Sequence, residues 1–497
     1  MKEMKIVQNG LGGFSQRTCL GQQEHRIVRT HRRGNVKSCK SFDVRRHRRG
    51  SPLFAIRKVS FSVASASPQP SQAATAPGKN RSYIVFPPPL FPLVPAFSRP
   101  TFRYEVDPGR IWVFEQKQGI GLGLNVSVNV RMTVIKMKNG GLWIHAPIAP
   151  TAECIKLVKD LDAPVEYIVL PTTLFEHKLF VGPFSREFPK AKVYVAPGQW
   201  SFPLQLPPSF FGIFPTGFLD EETFSDLPWA DEIQQQLLQP PPLGINRSVK
   251  FNEIAFFHKA TRTLLVTDAV VYVSDNIPDV ITERDLMESG DDGNFAITCL
   301  KLLNLFGIAE KARLRSRTSN DMTTDEVRDL GWKRNALQAL YFGPENLLDP
   351  EGSWKKITNR LIVAPVVGTL VYENIPDYVL EWVDRVCKWN FKRIIPCHFD
   401  APIQATPREF REAFLFLGDG KERASYPEDR PQQRPRLPFG PTWKRSPQQY
   451  YPEDDMVLIR GVAQFLIQIG IIFTKETRPK PLADLNSQSR DIEAIRK

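Results

Sequence analysis

Seven histidines occur in the 497-residue chain, and four of them, His145, His177, His258 and His398, lie where the composition is that of a folded domain. Three share a context. His145 closes LWIH, His177 follows the apolar run YIVLP through the loop TTLFEHK, and His398 ends RIIPCH. Asp268 holds the same position after TLLVT. Imidazole and carboxylate are the donors that Zn²⁺ and iron accept. Strand C-terminal ends in a layered α/β fold meet at one sheet edge, where sites form. Four metal-competent side chains are therefore delivered to one edge, and Glu176 adds a carboxylate beside His177. Hydrolysis by a metal-activated water is the chemistry such a set supports. His258 fails the same test, because it precedes the strand at 263–267 and sits at the end opposite Asp268. It reads as a hairpin or core residue. Cys397 reads either as a soft ligand or redox thiol, or as a buried strand-end cysteine.

The surrounding pattern supplies the strands. NVSVNVRMTVIKMK (125–138) alternates with period two and is joined to LWIHA (142–146) by Asn139-Gly140-Gly141, a hairpin signal. TAECIKLVKDLDAP (151–164) places Cys154, Ile155, Leu157, Val158 and Leu161 at helical spacing, with Thr151 as N-cap. VEYIVLP (165–171) and AKVYVAP (191–197) read as short buried strands, with a helix at 183–189 between them. A second hairpin joins VKFNEIAFF (249–257) to TLLVTD (263–268). Helices are expected at 294–308, at 376–389 and from Thr406, and a strand at 391–398. Segment 198–248 reads as a loop-rich insertion, and 309–360, charged and irregular, as a loop or helix–loop insertion. GIGLG (119–123) lacks the spacing of a dinucleotide fingerprint and reads as a turn before an edge strand. Trp143 and Trp200 read either as pocket walls or as core. The order of elements predicts an α/β fold.

Composition excludes some classes. With 42% hydrophobic and 24% charged residues the chain is not disordered throughout, and six cysteines are too few for a disulfide scaffold. The net charge of +13 is unevenly placed: residues 1–100 hold 18 Lys and Arg against Glu3, Glu24 and Asp43, and the rest holds 48 basic and 50 acidic residues. The folded body thus lacks the basic field that a nucleic-acid partner requires. Residues 1–80 are Arg-rich, contain Ser and are poor in acids, which reads as an organelle transit peptide or a disordered basic arm. A Pro-rich linker and strap (81–109) follows. A Pro/Arg-rich loop (421–455), a C-terminal helix (456–475) and a tail (476–497) close the chain. The run at 83–97 holds five prolines, and Arg460 with two Gln interrupts 456–473, so no integral membrane span is expected.

Beyond these patterns, RMTVIKMKNGGLWIHAPIAPT (131–151), YIVLPTTLFEHKLFVGPF (167–184), KVYVAPGQWSFPL (192–204), NEIAFFHKATRTLLVTDAVV (252–271) and RIIPCHFDAPI (393–403) carry a resemblance. Residues 110–420 resemble a domain family of unknown function from photosynthetic organisms, distantly related to the metallo-β-lactamase superfamily. The resemblance implies an αββα sandwich, two mixed sheets flanked by helices, and a plastid destination with a mitochondrion as the alternative. The superfamily's signature loop is His-x-His-x-Asp-His. Its last two positions fall on Glu176 and His177, and its first two on Thr172 and Leu174. The bridging aspartate falls on Asp268, the final histidine on His398 and an early aspartate near His145; the middle histidine has no counterpart.

What the resemblance implies is a reduced centre. One of the two superfamily metal positions has lost all three histidines. The other keeps His177, Asp268, His398 and Glu176 as ligands, with Asp268 and Glu176 as the catalytic carboxylates and His145 and Thr172 beside them. Glu176 either binds the ion, orients His177 or acts as a base. The expected cofactor is one divalent metal, zinc before iron, or none. The expected activity is that of a mononuclear metallohydrolase on a small ester, thioester, lactone or phosphoester. The alternatives are a metal-free scaffold or binding module and an iron-dependent oxidase or oxygenase. A small molecule is the expected substrate, and the oligomeric state is left open.

Overall fold

The fold is that of a computed structural model describing residues 93–94, 99–120, 126–199, 206–242, 250–295, 297, 298, 301, 318–341, 345–418 and 454–470. The basic segment at 1–80, most of the strap, Trp200, the Pro/Arg-rich loop up to 453 and the tail lie outside the described residues, as does most of the helix expected at 294–308.

The strands are β1 (Leu93–Val94), β2 (Phe102–Asp107), β3 (Ile111–Ile120), β4 (Val126–Lys136), β5 (Leu142–His145), β6 (Val165–Leu170), β7 (Lys192–Val195), β8 (Gly217–Phe218), β9 (Ile233–Leu238), β10 (Glu253–His258), β11 (Thr263–Leu265), β12 (Val271–Tyr272), β13 (Leu361–Ile362), β14 (Arg393–Ile395) and β15 (Ile403–Gln404). The helices are α1 (Ala152–Lys159), α2 (Phe175–Lys178), α3 (Val181–Glu187), α4 (Glu283–Gly290), α5 (Thr324–Tyr341), α6 (Glu351–Ile357), α7 (Pro365–Leu370), α8 (Pro376–Val386), α9 (Pro407–Glu412) and α10 (Val457–Gln468).

Sheet one contains β1 to β8, in the order β1-β3-β4-β5-β6-β7-β8 with β2 on β3; sheet two runs β15-β14-β11-β10-β9. Both are mixed. The pairs β5–β6, β6–β7 and β11–β14 are parallel, and most others are antiparallel. Alternation sorts each strand's side chains between two layers. Ile135, Trp143 and Val169 of sheet one meet Ile254, Phe256, Leu265 and Ile395 of sheet two in a central core. On the far side of sheet one, Val134, Ile144 and Ile168 bury Ile155 and Val158 of α1 and Phe184 of α3. Across sheet two, Phe257, Leu264 and Ile394 bury Trp382, Val383 and Val386 of α8. The result is helix, sheet, sheet, helix: the αββα sandwich.

Local signals behave as read. Thr151 caps α1, its hydroxyl accepting from Cys154 N, and Thr406 forms a capping box with Glu409 at α9. Asn139-Gly140-Gly141 turns β4 into β5, with Gly140 at φ 88°. Other expectations need correction. The insertion at 198–248 contributes β9, an edge strand of sheet two, hidden in the sequence because IQQQLL puts three glutamines where an apolar run was sought. The insertion at 309–360 contains the 18-residue α5, which is not peripheral: Asn335 Oδ1 accepts from Ser127 N and its Nδ2 donates to Ser127 O, against β4. Gly119 lies within β3, and the strand that follows, β4, is interior rather than an edge. Among the described residues no helix is long and apolar enough to cross a membrane.

Candidate metal centre

Parallel pairing sends the C-terminal ends of β5 and β6 one way in sheet one, and those of β11 and β14 one way in sheet two. Pairing continues past the last strand residues, Val266 N donating to Ile395 O and Cys397 N to Thr267 O. Asp268 and His398 therefore leave adjacent strands side by side. From sheet one, the segment after β6 crosses to sheet two: Ile254 N donates to Pro171 O, Thr173 N to Asn252 O, and Thr172 bridges to Glu253. That crossing carries α2, and with it His177, over Asp268.

His177, Asp268 and His398 converge, with one donor atom from each lying within 4.8 Å of the others. His177 Nε2 is 3.1 Å from Asp268 Oδ2, and His398 Nε2 is 3.4 Å from Asp268 Oδ1. Tetrahedral ligation at bond lengths near 2 Å separates donors by about 3.3 Å, so these spacings suit one ion. His398 Nδ1 donates to the backbone oxygen of Asn129 at 2.7 Å, which leaves Nε2 as the free lone pair aimed at the centre.

The charges are mutually tuned. Burial alone would raise the pKa of Asp268, but His177 first and then His398 overcome it, and the carboxyl is held below its ordinary value. Burial likewise favours neutral His177, yet Asp268, assisted by Glu176 and Glu253, raises its pKa. For His398 the balance falls the other way: burial outweighs Asp268, and its pKa is lowered.

The remaining sequence candidates fall elsewhere. Glu176 is not in the converging group; burial raises its pKa against the opposing pull of His177, and Asp268 raises it further. Thr172, at the first signature histidine, is a clamp. Its hydroxyl donates to Asn252 O and accepts from Leu174 N. Leu174 packs against the outer core of sheet two. His145 is fully buried, with neither ring nitrogen hydrogen-bonded, stacked on Trp143 and edge-on to Phe256. Burial, with His177 nearby, lowers its pKa to about 3. Trp143 is core, and His258 shares a hydrogen bond with Thr261 in its hairpin. Cys397 is buried, its thiol pushed well up by burial and so protonated.

Two sets of supporting residues went unread in the sequence. Glu253 is fully buried, and its Oε1 accepts from Thr267 N and Ala269 N, on either side of Asp268. Burial, with the Asp268 charge, raises its pKa to about 7. EIAFFH is buried at every position, so its glutamate has no solvent to face. The second set lies on β4. Arg131 pairs with Glu115, donates through Nη1 to Pro396 O at 2.6 Å and through Nη2 to Phe399 O. Asn129 Oδ1 accepts from Phe399 N and its Nδ2 donates to Phe399 O. The polar row of the alternating strand thus grips the loop that presents His398.

No curated protein matches the chain. Among solved structures, a metallo-β-lactamase from Pontibacter korlensis aligns at 12% identity over 64% of this chain and 99% of its own, with a TM-score of 0.28. The metal-soaked Flv1 flavodiiron core from Synechocystis sp. PCC6803 aligns at 8% identity over 64% of this chain and 61% of its own, TM-score 0.32. A flavo di-iron protein from Thermotoga maritima aligns at 10% identity over 65% of this chain and 63% of its own, TM-score 0.32. This chain spans about three-fifths of the length of the two flavodiiron structures. The fold assignment rests on the sheet topology rather than on these likenesses. The sequence match is of another kind, because residues 108–355 and 348–416 fit the profile of one family and together cover every converging side chain. By that match the chain belongs to the family described as Domain of unknown function (DUF4336).

Proposed function

We propose that the chain is a mononuclear metallohydrolase in which His177, Asp268 and His398 hold one divalent ion, zinc before iron. The observation that carries this reading is the convergence of the three donor atoms within 4.8 Å, with the His398 tautomer fixed by Asn129. Two imidazoles and a carboxylate are three protein ligands, the number that leaves a position open for water or substrate. A bound ion of this kind lowers the pKa of water and polarises a carbonyl or phosphoryl oxygen. The chain's own part is to hold the donors and move the proton. Asp268 stays ionised between two imidazoles, and we assign the proton transfer to Glu176, the carboxylate next to His177 in the chain, whose pKa burial raises. A small ester, thioester, lactone or phosphoester is the substrate class, and the basic segment at 1–80 directs the chain to a plastid.

The same donor set favours one second reading, since two histidines and one carboxylate also make the facial triad of non-haem iron oxygenases. Elemental analysis of the purified chain and of His177→Ala separates the readings. Hydrolase chemistry expects about one zinc per chain, lost in the variant. Iron in its place supports the oxygenase reading, and a folded wild-type chain that takes up no metal sinks both.

A further inference from the structure

Glu253 is a buried acid that the three ligands do not account for. It opens β10, six residues buried in succession, and is 0% exposed. A carboxylate in such a place costs folding free energy unless hydrogen bonds compensate it. Its Oε2 has no hydrogen-bond partner among the described residues, and neither has the buried hydroxyl of Tyr372, whose pKa is raised by burial and then by Glu253 and Asp268. Compensation comes through Oε1, which accepts from Thr267 N at 3.0 Å and Ala269 N at 3.2 Å. These are the amides before and after Asp268. Tying both to one atom fixes the orientation of the peptide units that flank the ligand.

The backbone at the same point holds the other ligand segment. Thr173 N donates to Asn252 O, Ile254 N to Pro171 O, and Asn252 N to Thr173 Oγ1 at 3.0 Å. The main chain of residues 252–254 therefore registers the segment leading to His177, while the Glu253 side chain registers the segment bearing Asp268. One point of sheet two sets the distance between a ligand drawn from sheet one and a ligand drawn from sheet two.

We propose that Glu253 is the positioning residue of the metal centre: by clamping the amides on both sides of Asp268, it presents that carboxylate between His177 and His398. The inference rests on the metal reading above. It requires an acceptor at the reach of a glutamate and does not require the negative charge.

Three variants of the full-length chain test it, with Co²⁺ as the probe for its visible bands and Zn²⁺ competition for affinity. Glu253→Gln keeps the acceptor at the same reach, so it should bind within about threefold of wild type, with the same cobalt spectrum. Glu253→Asp keeps the charge but falls one methylene short, and Glu253→Ala removes the acceptor; each should weaken binding about 10- to 100-fold, the range seen for groups that orient a ligand. If Glu253→Ala does not fold, the Gln and Asp variants carry the test. Wild-type affinity in Glu253→Asp, or a Gln variant as weak as the Asp one, overturns the proposal. Hydrogen exchange at the Thr267 and Ala269 amides separates this from failure of the metal reading. A wild type that binds no Co²⁺ or Zn²⁺ sinks the metal centre, and with it the positioning role. Amides that stay protected in Glu253→Asp sink the clamp even in a chain that binds metal.

Discussion

His145 and His398 make a controlled pair within one molecule. His145 ends β5 and His398 lies just beyond β14, each on a strand with a parallel neighbour. Each is followed by a non-glycine residue in the left-handed region, Ala146 at φ 52° and Phe399 at φ 55°. The local backbone is nearly the same, and the outcomes are opposite. At His398 the strained turn is held from outside by Asn129 and Arg131, the ring's Nδ1 has a carbonyl to bond, and Nε2 is left facing Asp268. At His145 the ring lies between Trp143 and Phe256, and neither nitrogen has a partner. A strand end delivers a residue to the sheet edge; the groups around it decide whether its donor atoms meet others or its ring joins the core.

The sharpest way to break this pairing is to remove each ring and measure Zn²⁺ affinity. His398→Ala takes away one of three donors. Structural zinc sites bind with about 10–16 kcal/mol shared among their ligands, so the loss should be about 3–4 kcal/mol, several hundredfold in Kd by chelator competition. His145→Phe should leave affinity within about twofold. Equal losses in the two variants would make His145 a fourth donor and end the contrast.

An effect of similar size, on stability rather than affinity, concerns the grip on the His398 turn. Arg131 is 1% exposed and paired with Glu115, which is also buried. Arg131→Met leaves that carboxylate buried without its partner and frees the carbonyls of Pro396 and Phe399. Removing one member of a buried pair costs about 3–5 kcal/mol, readable as a lower denaturant midpoint. The double variant Glu115→Gln/Arg131→Met should recover part of it. If the single variant unfolds at the wild-type midpoint, the turn at Phe399 is held by Asn129 alone.

The two histidines also mark how far a sequence can be read. Alternation located β4, short apolar runs located β5, β6, β10, β11 and β14, and the capping signals at Thr151 and Thr406 were local enough to stand without tertiary context. Position at a strand end found His177, Asp268 and His398, because direction along a parallel strand is written in the sequence. It also put His145 in the same class, because packing against Phe256, 111 residues away, is not. Glu253 and Arg131 escaped for a related reason. In an alternating strand a polar residue reads as solvent-facing, whereas β4 and β10 are covered on both faces, so their polar residues turn inward to the loops of the centre. Thr172 was placed at a lost histidine, yet its clamp on Asn252 depends on a crossing between sheets that no local pattern encodes.

The smallest effect is the most specific to His145, because it concerns stability rather than metal. In the fold its pKa is lowered to about 3, mainly by burial, whereas an unfolded histidine titrates near 6.5. The unfolded chain therefore binds the proton first as pH falls, and stability declines from about pH 6.5 down towards pH 3, by about 1.4 kcal/mol per unit. Above pH 6.5 this contribution is fully present. His145→Phe keeps a flat ring against Trp143 and removes the titration, so at pH 5 it should retain about 2 kcal/mol that the wild type has lost. His258, with its pKa lowered to about 4 by burial, keeps its own acid dependence in both proteins, so the variant's curve should be flatter and not flat. At pH 8 the variant should also gain about 1 kcal/mol, since it no longer buries ring nitrogens without partners. Urea unfolding at pH 8, 6 and 5 reads both. Parallel stability curves for the two proteins would mean that the His145 ring has a polar partner in the folded chain, and that the difference between the two strand-end histidines is one of degree.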